Sequence, residues 1–364
     1  MTNLQRTSAL ASWHKALGSH LEDWNGMGTA WSYHSDANDE HDAVRERAGM
    51  FDMSPLKKVW VSGDDALTAL NHLITRDLTL VGVGESVYTA VLTEAGGVAD
   101  DAIVANCGHH NFLMCHGSGS SMELLQQSAE CLNVNIRLDD DLHNVAVQGP
   151  LALSILDAQA SIDLSSLGYF KHQEAKLFGH DVRISRTGYS GERGYEIFAP
   201  AHCVGDIWDK LCNLGVSPCS FTALDKVRVE AALLFYGYDM TEDHSPWEVG
   251  LGFCVNLNKP DFRGKAAAVA SQHKTKFSGV GLSIDHNQAL IGGESLWFKG
   301  KEVGMINSPA YSHRLNLSLA LAHVACNVAE VGTTLEVRSD DFNGKAEVLS
   351  TPFYDPQKSR THAT

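Results

Sequence analysis

Leu10, Trp13, Leu17 and Leu21 recur at helical spacing and predict a helix over Thr7–Leu21, and Asp39–Met50 reads as a second helix that stops at Gly49. The stretch between them, Trp24–His34, is rich in glycine and aromatics and reads as a loop. Lys58–Gly63 then alternates apolar and polar as a strand does, and Asp64/Asp65 are placed to cap a helix over Ala66–Ile74. Further strands are predicted at Ser86–Leu92, Ala99–Asn106, Asn111–His116 and near Asn133–Leu138, with a helix over Ser121–Cys131 among them. That order predicts a compact α+β unit between about Phe51 and Asp140.

A second region opens at Val145–Pro150 and continues into a helix over Leu151–Ala158, with Pro150 suited to its first turn. Lys176–Ala199 reads as a hairpin turning at Ser190–Gly194, and Leu224, Val227, Ala231 and Leu234 mark a helix over Thr222–Leu234. Beyond Lys259 the character changes. Short β-like runs at Val280–Ile284, Ser295–Lys299, Ser318–His323, Thr334–Val337 and Ala346–Leu349, broken by Gly and Asn, predict a small barrel, with Asp355–Thr364 a loose tail.

The 364 residues exceed what one core usually organises, so two or three packed units are expected. With 28 Lys+Arg against 44 Asp+Glu, the formal charge of −16 repels phosphate backbones and anionic lipid, which argues against nucleic-acid and membrane partners. Met1–Trp13 lacks the pattern of a secretory signal and no run approaches 18 apolar residues, so a cytoplasmic location is expected. The eight cysteines show no C-x-x-C spacing and read as reduced packing residues.

Two stretches carry candidate chemistry. In Gly96-Gly97-Val98-Ala99-Asp100-Asp101-Ala102-Ile103-Val104 two adjacent carboxylates interrupt an apolar strand; neighbours in a strand face opposite ways, so at least one acid enters apolar surroundings. A buried acid must be paired, protonated or used, although a turn aspartate binding backbone amides fits the same spacing. In Arg186–Glu196, Glu196 offers two acceptor oxygens that match the ring N–H and exocyclic amine of a pterin, and Tyr189 a stacking face; an exposed charged hairpin is the alternative. Cys107, His109, His110, Cys115 and His116 are good ligand types at poor ligand spacing, so no metal is expected. No nucleophile elbow, Walker loop or dinucleotide fingerprint occurs.

Taken in order, Val44–Ser54, Gly96–Asp101, Gln148–Pro150, Arg186–Glu192, Arg228–Ala231, Tyr236–Met240, Ser245–Leu251 and Asp261–Lys265 resemble the aminomethyltransferase (glycine-cleavage T-protein) family over nearly the whole chain. The resemblance implies a three-domain cloverleaf of α+β class with a C-terminal β-barrel and tetrahydrofolate in its central opening. Its expected parts are a split folate-binding domain (1–55 plus 141–260), an inserted α+β domain (56–140) and the barrel (261–364). It also implies that Asp101 is the catalytic carboxylate near the folate nitrogens, and that Glu196 and Tyr189 contact the pterin.

The chain departs from the T-protein pattern at three places. Ser54-Pro55-Leu56-Lys57 stands where the family has Ser-His-Met-Gly, His116 where an Asn contacts folate, and Leu224 where an Arg is found. A leucine supplies none of the donors of an Arg fork. The Ser-Pro-Leu-Lys form is similar to folate-dependent demethylases, which implies a small S-, N- or O-methylated donor, with Leu56 and His116 among the folate contacts. Tyr33, His34 and Trp247 lie beside family motifs and are the expected substrate-side residues, an aromatic wall being suited to an onium cation. An aminomethyltransferase of the glycine cleavage system and a non-catalytic folate-binding assembly factor are the competing readings, and the oligomeric state stays open.

Overall fold

The computed structural model describes residues 4–363. Its chain threads two sheets into one another. Gly49–Asp52 enters a six-stranded sheet, the chain leaves it at once to build a five-stranded sheet, and Leu142–Gln148 returns to pair antiparallel with Gly49–Asp52, Gly49 standing opposite Gln148. The six-stranded sheet runs in the order His172–Leu177, His180–Ser185, Gly194–Pro200, Leu142–Gln148, Gly49–Asp52 and Ser217–Pro218. The five-stranded sheet runs Ser86–Leu92, Val98–Asn106, Asn111–His116, Lys57–Ser62 and Asn135–Leu138, antiparallel throughout. Helices Ala66–Leu73 and Ser121–Ser128 cover one face of this second sheet and bury Val59, Val61, Val104 and Met114 beneath them.

Six antiparallel strands between Phe277 and Leu349 close a barrel, so the molecule is a mixed α+β cloverleaf with a C-terminal β-barrel, as expected. Closure removes the exposed edges that an open sheet would carry. Among the described residues no helix is long and apolar enough to cross a membrane. All eight cysteines are free thiols.

Several local expectations are corrected. The first helix spans only Ala11–Ala16, because Gly18 and Leu21 take positive φ of 98° and 57° and turn the chain away. The second is Ala37–Glu46, capped by Asp36, whose side chain accepts from Asn38 N at 2.8 Å; Gly49 and Met50 belong to a strand. Gly49 sits where any Cβ would lie 2.6 Å from Val44 Cγ2 and 2.7 Å from Cys219 Sγ, so glycine permits the helix to pack on that strand. Asp64 and Asp65 do not cap the next helix; their carboxylates accept from the Asn133 side chain and main chain at 3.2 and 2.8 Å. Within the expected Trp24–His34 loop, Met27–Thr29 pairs with Glu22–Trp24. The helix Phe221–Glu230 ends before Leu234, since Ala232 turns left-handed at φ 54°.

The longest barrel strand, Lys301–Ser312, falls outside the sequence expectation, as does helix Lys265–Ser271. The strand contains Gly304, Asn307 and Pro309 and accommodates them through a register shift between Ile306 and Ser308. The tail is not loose: Arg186 Nη2 donates to Ala363 O at 2.7 Å, Arg193 bonds the same carbonyl, and Thr361 Oγ1 donates to Gly191 O at 2.8 Å.

Candidate functional site

The two sheets, the barrel and the docked tail enclose a cavity of about 930 Å³. Strand pairing places its chemistry. Ala90 stands opposite Asp101, so Tyr88, two residues away, shares Asp101's face of the sheet, and its hydroxyl donates to Asp101 Oδ2 at 2.9 Å. This face, with Ile103 and Cys115, is the one left uncovered by helices, and it forms one wall. Asp101 is pushed up from 3.8 to about 7, chiefly by burial and further by the adjacent Asp100 carboxylate, while the Tyr88 bond opposes the rise. A carboxyl that titrates near neutrality in a cavity is suited to accept or donate a proton.

Asp100 faces the opposite side. It is fully buried, with Oδ2 2.8 Å from His116 Nδ1 and Oδ1 accepting from Asp101 N at 2.9 Å. Asp100 thus bonds backbone amides, those of Asp101 and Ser121, as the alternative reading has it, though from a strand and beside His116, while Asp101 is held in the cavity wall. His116 lies opposite Ala102, on the face shared with Asp100, and borders the cavity; its ring is fully buried with Nδ1 on Asp100, while Nε2 has no hydrogen-bond partner.

In the six-stranded sheet, Ser185 stands opposite Glu196, and both border the cavity with Thr187 and Tyr189. Glu196 is 9% exposed; Oε1 accepts from Asn144 Nδ2 at 2.8 Å and Oε2 from the Thr187 hydroxyl. Among the described residues it has no cation within salt-bridge distance, so neutral donors aim a carboxylate whose charge the protein leaves uncompensated. Tyr189 OH donates to Leu234 O at 2.5 Å, which fixes the ring against the segment that leaves helix Phe221–Glu230. The exposed-hairpin alternative is excluded for this loop, since Arg186, Thr187, Ser190, Glu192 and Arg193 are all buried.

Leu56 and Leu224 also line the cavity and pack in one cluster with Phe51 and Val227, so the two departures from the T-protein pattern present apolar surface there. The expected substrate trio is not assembled at the cavity. Tyr33 OH is 2.8 Å from His14 Nδ1 in a relay that continues to buried Asp52; His34 is exposed beside Gly18; and Trp247 Nε1 donates to Ala268 O at 2.9 Å away from the lining. Proximity to a motif in sequence did not specify which way these side chains turn. Tyr88, Trp24 and His323 line the cavity and were missed; only the register of Ser86–Leu92 against Val98–Asn106 marks Tyr88. The Cys107–His116 set does not gather: Cys115 faces the cavity, His116 pairs with Asp100, and His109 and His110 occupy an exposed turn.

Asp101 and Glu196 thus line one cavity of an α+β cloverleaf, and the class of protein that this fold belongs to follows from its relatives. The GCVT N-terminal domain family matches residues 10–259 and the glycine cleavage T-protein C-terminal barrel domain family residues 278–355. The chain therefore belongs to the aminomethyltransferase (glycine-cleavage T-protein) family. It is 43% identical, over the full length of both chains, to the heme-dependent oxidative N-demethylase gamma subunit of Ectopseudomonas mendocina. It is 35% identical to the aminomethyltransferase of Thermotoga neapolitana, covering 94% of this chain and 95% of that one. The solved aminomethyltransferase T of the Bartonella henselae glycine cleavage system superposes with a TM-score of 0.90 at 26% identity, covering 96% of this chain and 98% of that one.

Proposed function

We propose that the protein is a tetrahydrofolate-dependent one-carbon transferase whose carbon comes from the methyl group of a small methylated amine. The observation that carries this reading is the pair of acids that two different sheets bring to one cavity: Glu196, aimed by Asn144 and Thr187 without a cation, and Asp101, held near neutrality beside Tyr88. The residues fit a reduced folate. Glu196 matches the adjacent donors of a pterin edge, Tyr189 and Trp24 supply apolar ring faces, and about 930 Å³ lies within the span of about 300–1,000 Å³ usual for small-molecule sites.

Bound folate supplies nucleophilic nitrogens to which a one-carbon unit is transferred. The chain's own residues do the rest. Glu196 orients the pterin; Asp101 accepts the proton displaced from nitrogen as the new carbon–nitrogen bond forms and the carbon's bond to its former group breaks, and returns that proton to the leaving group, which departs as the amine of an N-methyl donor or, from formaldehyde, as water; the apolar wall of Leu56 and Leu224 limits bulk water in the cavity. The choice of an N-methyl donor over S- or O-methyl rests on the N-demethylase gamma subunit as a full-length relative. The test supplies folate with ¹³C-labelled N-, S- and O-methyl compounds and with ¹³C-formaldehyde, the carbon that oxidation of an N-methyl group releases, and follows the folate product by mass. Label is expected from the N-methyl or formaldehyde arm; label from neither, in protein that still binds folate, refutes the proposal.

A glycine-cleavage aminomethyltransferase is the second reading, favoured by relatives such as the Thermotoga neapolitana protein. Release of ammonia from a lipoyl-carried aminomethyl group distinguishes it.

A further inference from the structure

Away from the cavity, helix Ala37–Glu46 meets the barrel where strand Lys301–Ser312 turns into Leu317–Ala325. Three ligand-type side chains gather there: His41, Asp42 and His313, with one ligand atom from each lying within 4.8 Å of the others. His41 is completely buried. Its Nε2 lies 2.9 Å from Glu230 Oε2, and Arg45 holds that same oxygen through Nε at 3.0 Å and Nη2 at 2.7 Å. That contact is a charge contact and not an aligned hydrogen bond, yet the fixed carboxylate beside Nε2 favours a proton there, which leaves the Nδ1 lone pair available. Neither buried ring nitrogen has a hydrogen-bond partner; Asp42 Oδ1 is 3.5 Å from Nδ1. A carboxylate on one ring nitrogen and an unused lone pair on the other is how proteins prepare a histidine for a metal.

We propose that His41, Asp42 and His313 form a transition-metal site, taking zinc or a similar divalent ion, that clamps the barrel turn to helix Ala37–Glu46. Two imidazoles and one carboxylate suit zinc and leave a fourth position for water. His313 Nε2 already lies 2.9 Å from Asp42 Oδ1. Tetrahedral zinc needs ligand atoms about 3.4 Å apart, by its usual bond lengths. His41 is the rigid ligand, and the two that must adjust are the accessible ones, His313 and Asp42, with side chains 26% and 38% exposed. Arg314 also donates to Asp42 Oδ1, at 2.9 Å, and must give it up; its second bond, to Glu46 at 2.6 Å, remains. Its charge opposes a cation, so removing it should favour metal. The expectation of no metal, drawn from the poor spacing of Cys107–His116, did not reach this set because His313 lies 271 residues along the chain from Asp42.

The experiment uses the full-length, tag-free protein, stripped with chelator and titrated with zinc ion by calorimetry, with cobalt absorption as a check on nitrogen ligation. One zinc per chain is expected. His313→Ala, at a partly exposed turn outside the folate cavity, should weaken binding at least tenfold while leaving folate binding unchanged. Arg314→Ala should bind zinc as tightly or more tightly. Absence of stoichiometric uptake, zinc binding unaffected by His313→Ala, or weaker binding in Arg314→Ala would each overturn the proposal.

Discussion

Asp101→Asn should separate stability from activity in opposite directions. The wild-type carboxyl titrates at about 7 in the folded chain against 3.8 when unperturbed, raised mainly by burial and by Asp100. Between roughly pH 4 and 7 the folded chain keeps a proton that the unfolded chain has released, so stability falls as pH rises through that window and levels off above it. The span corresponds to on the order of 4 kcal/mol, with about 1.5 kcal/mol already lost at pH 5. Asparagine cannot ionise, yet retains an oxygen for the Tyr88 hydroxyl bond now 2.9 Å long. Water in the cavity screens the charge, so the variant should exceed wild type by about 1–3 kcal/mol at pH 8 and by much less at pH 5. Urea midpoints of both proteins at the two pH values measure this. The same variant should lose about 10²–10⁴-fold in turnover by losing its proton acceptor, with folate binding kept. A midpoint difference that does not change with pH, or undiminished turnover, would refute the reasoning.

Three further outcomes follow from the geometry. Glu196→Gln should weaken folate binding about ten- to a hundredfold, the loss expected for charge-assisted hydrogen bonds, and an unchanged dissociation constant in equilibrium dialysis would remove it from the pterin site. Because Tyr88 holds Asp101 down, the rising limb of kcat/KM is expected near pH 7 in wild type and Tyr88→Phe should move it toward higher pH; a fixed limb would detach the two residues. Deleting residues 355–364 frees the guanidinium groups of Arg186 and Arg193 and should raise hydrogen exchange in the 186–193 loop and weaken folate binding, whereas an unchanged exchange pattern would make the tail a passenger.

Alternation along Lys58–Gly63, with the apolar runs at Ser86–Leu92 and Asn111–His116, made most of the five-stranded sheet legible, because these strands bury one face under helices and the other in the cavity wall or, for Trp60, against Phe198. Asp101 and Glu196 were legible as polar intrusions into apolar strands with a family pattern around them. What stayed hidden depends on long-range register or on backbone contacts. His116 turns toward Asp100 by the pleat of its strand, which composition does not reveal. Strand Lys301–Ser312 carries residues that ordinarily end strands and survives by a bulge in a closed barrel. The tail docks largely through its main-chain carbonyl at Ala363, helped by the Thr361 hydroxyl, contacts that its polar composition does not distinguish from a loose end.

The central claim is that Glu196 and Asp101 face a common folate site. Equilibrium dialysis of the folded protein against labelled tetrahydrofolate tests it most directly. One saturable site per chain, weakened by Glu196→Gln and retained in Asp101→Asn, is the predicted result. No saturable uptake by folded wild-type protein, or uptake indifferent to Glu196, would contradict it.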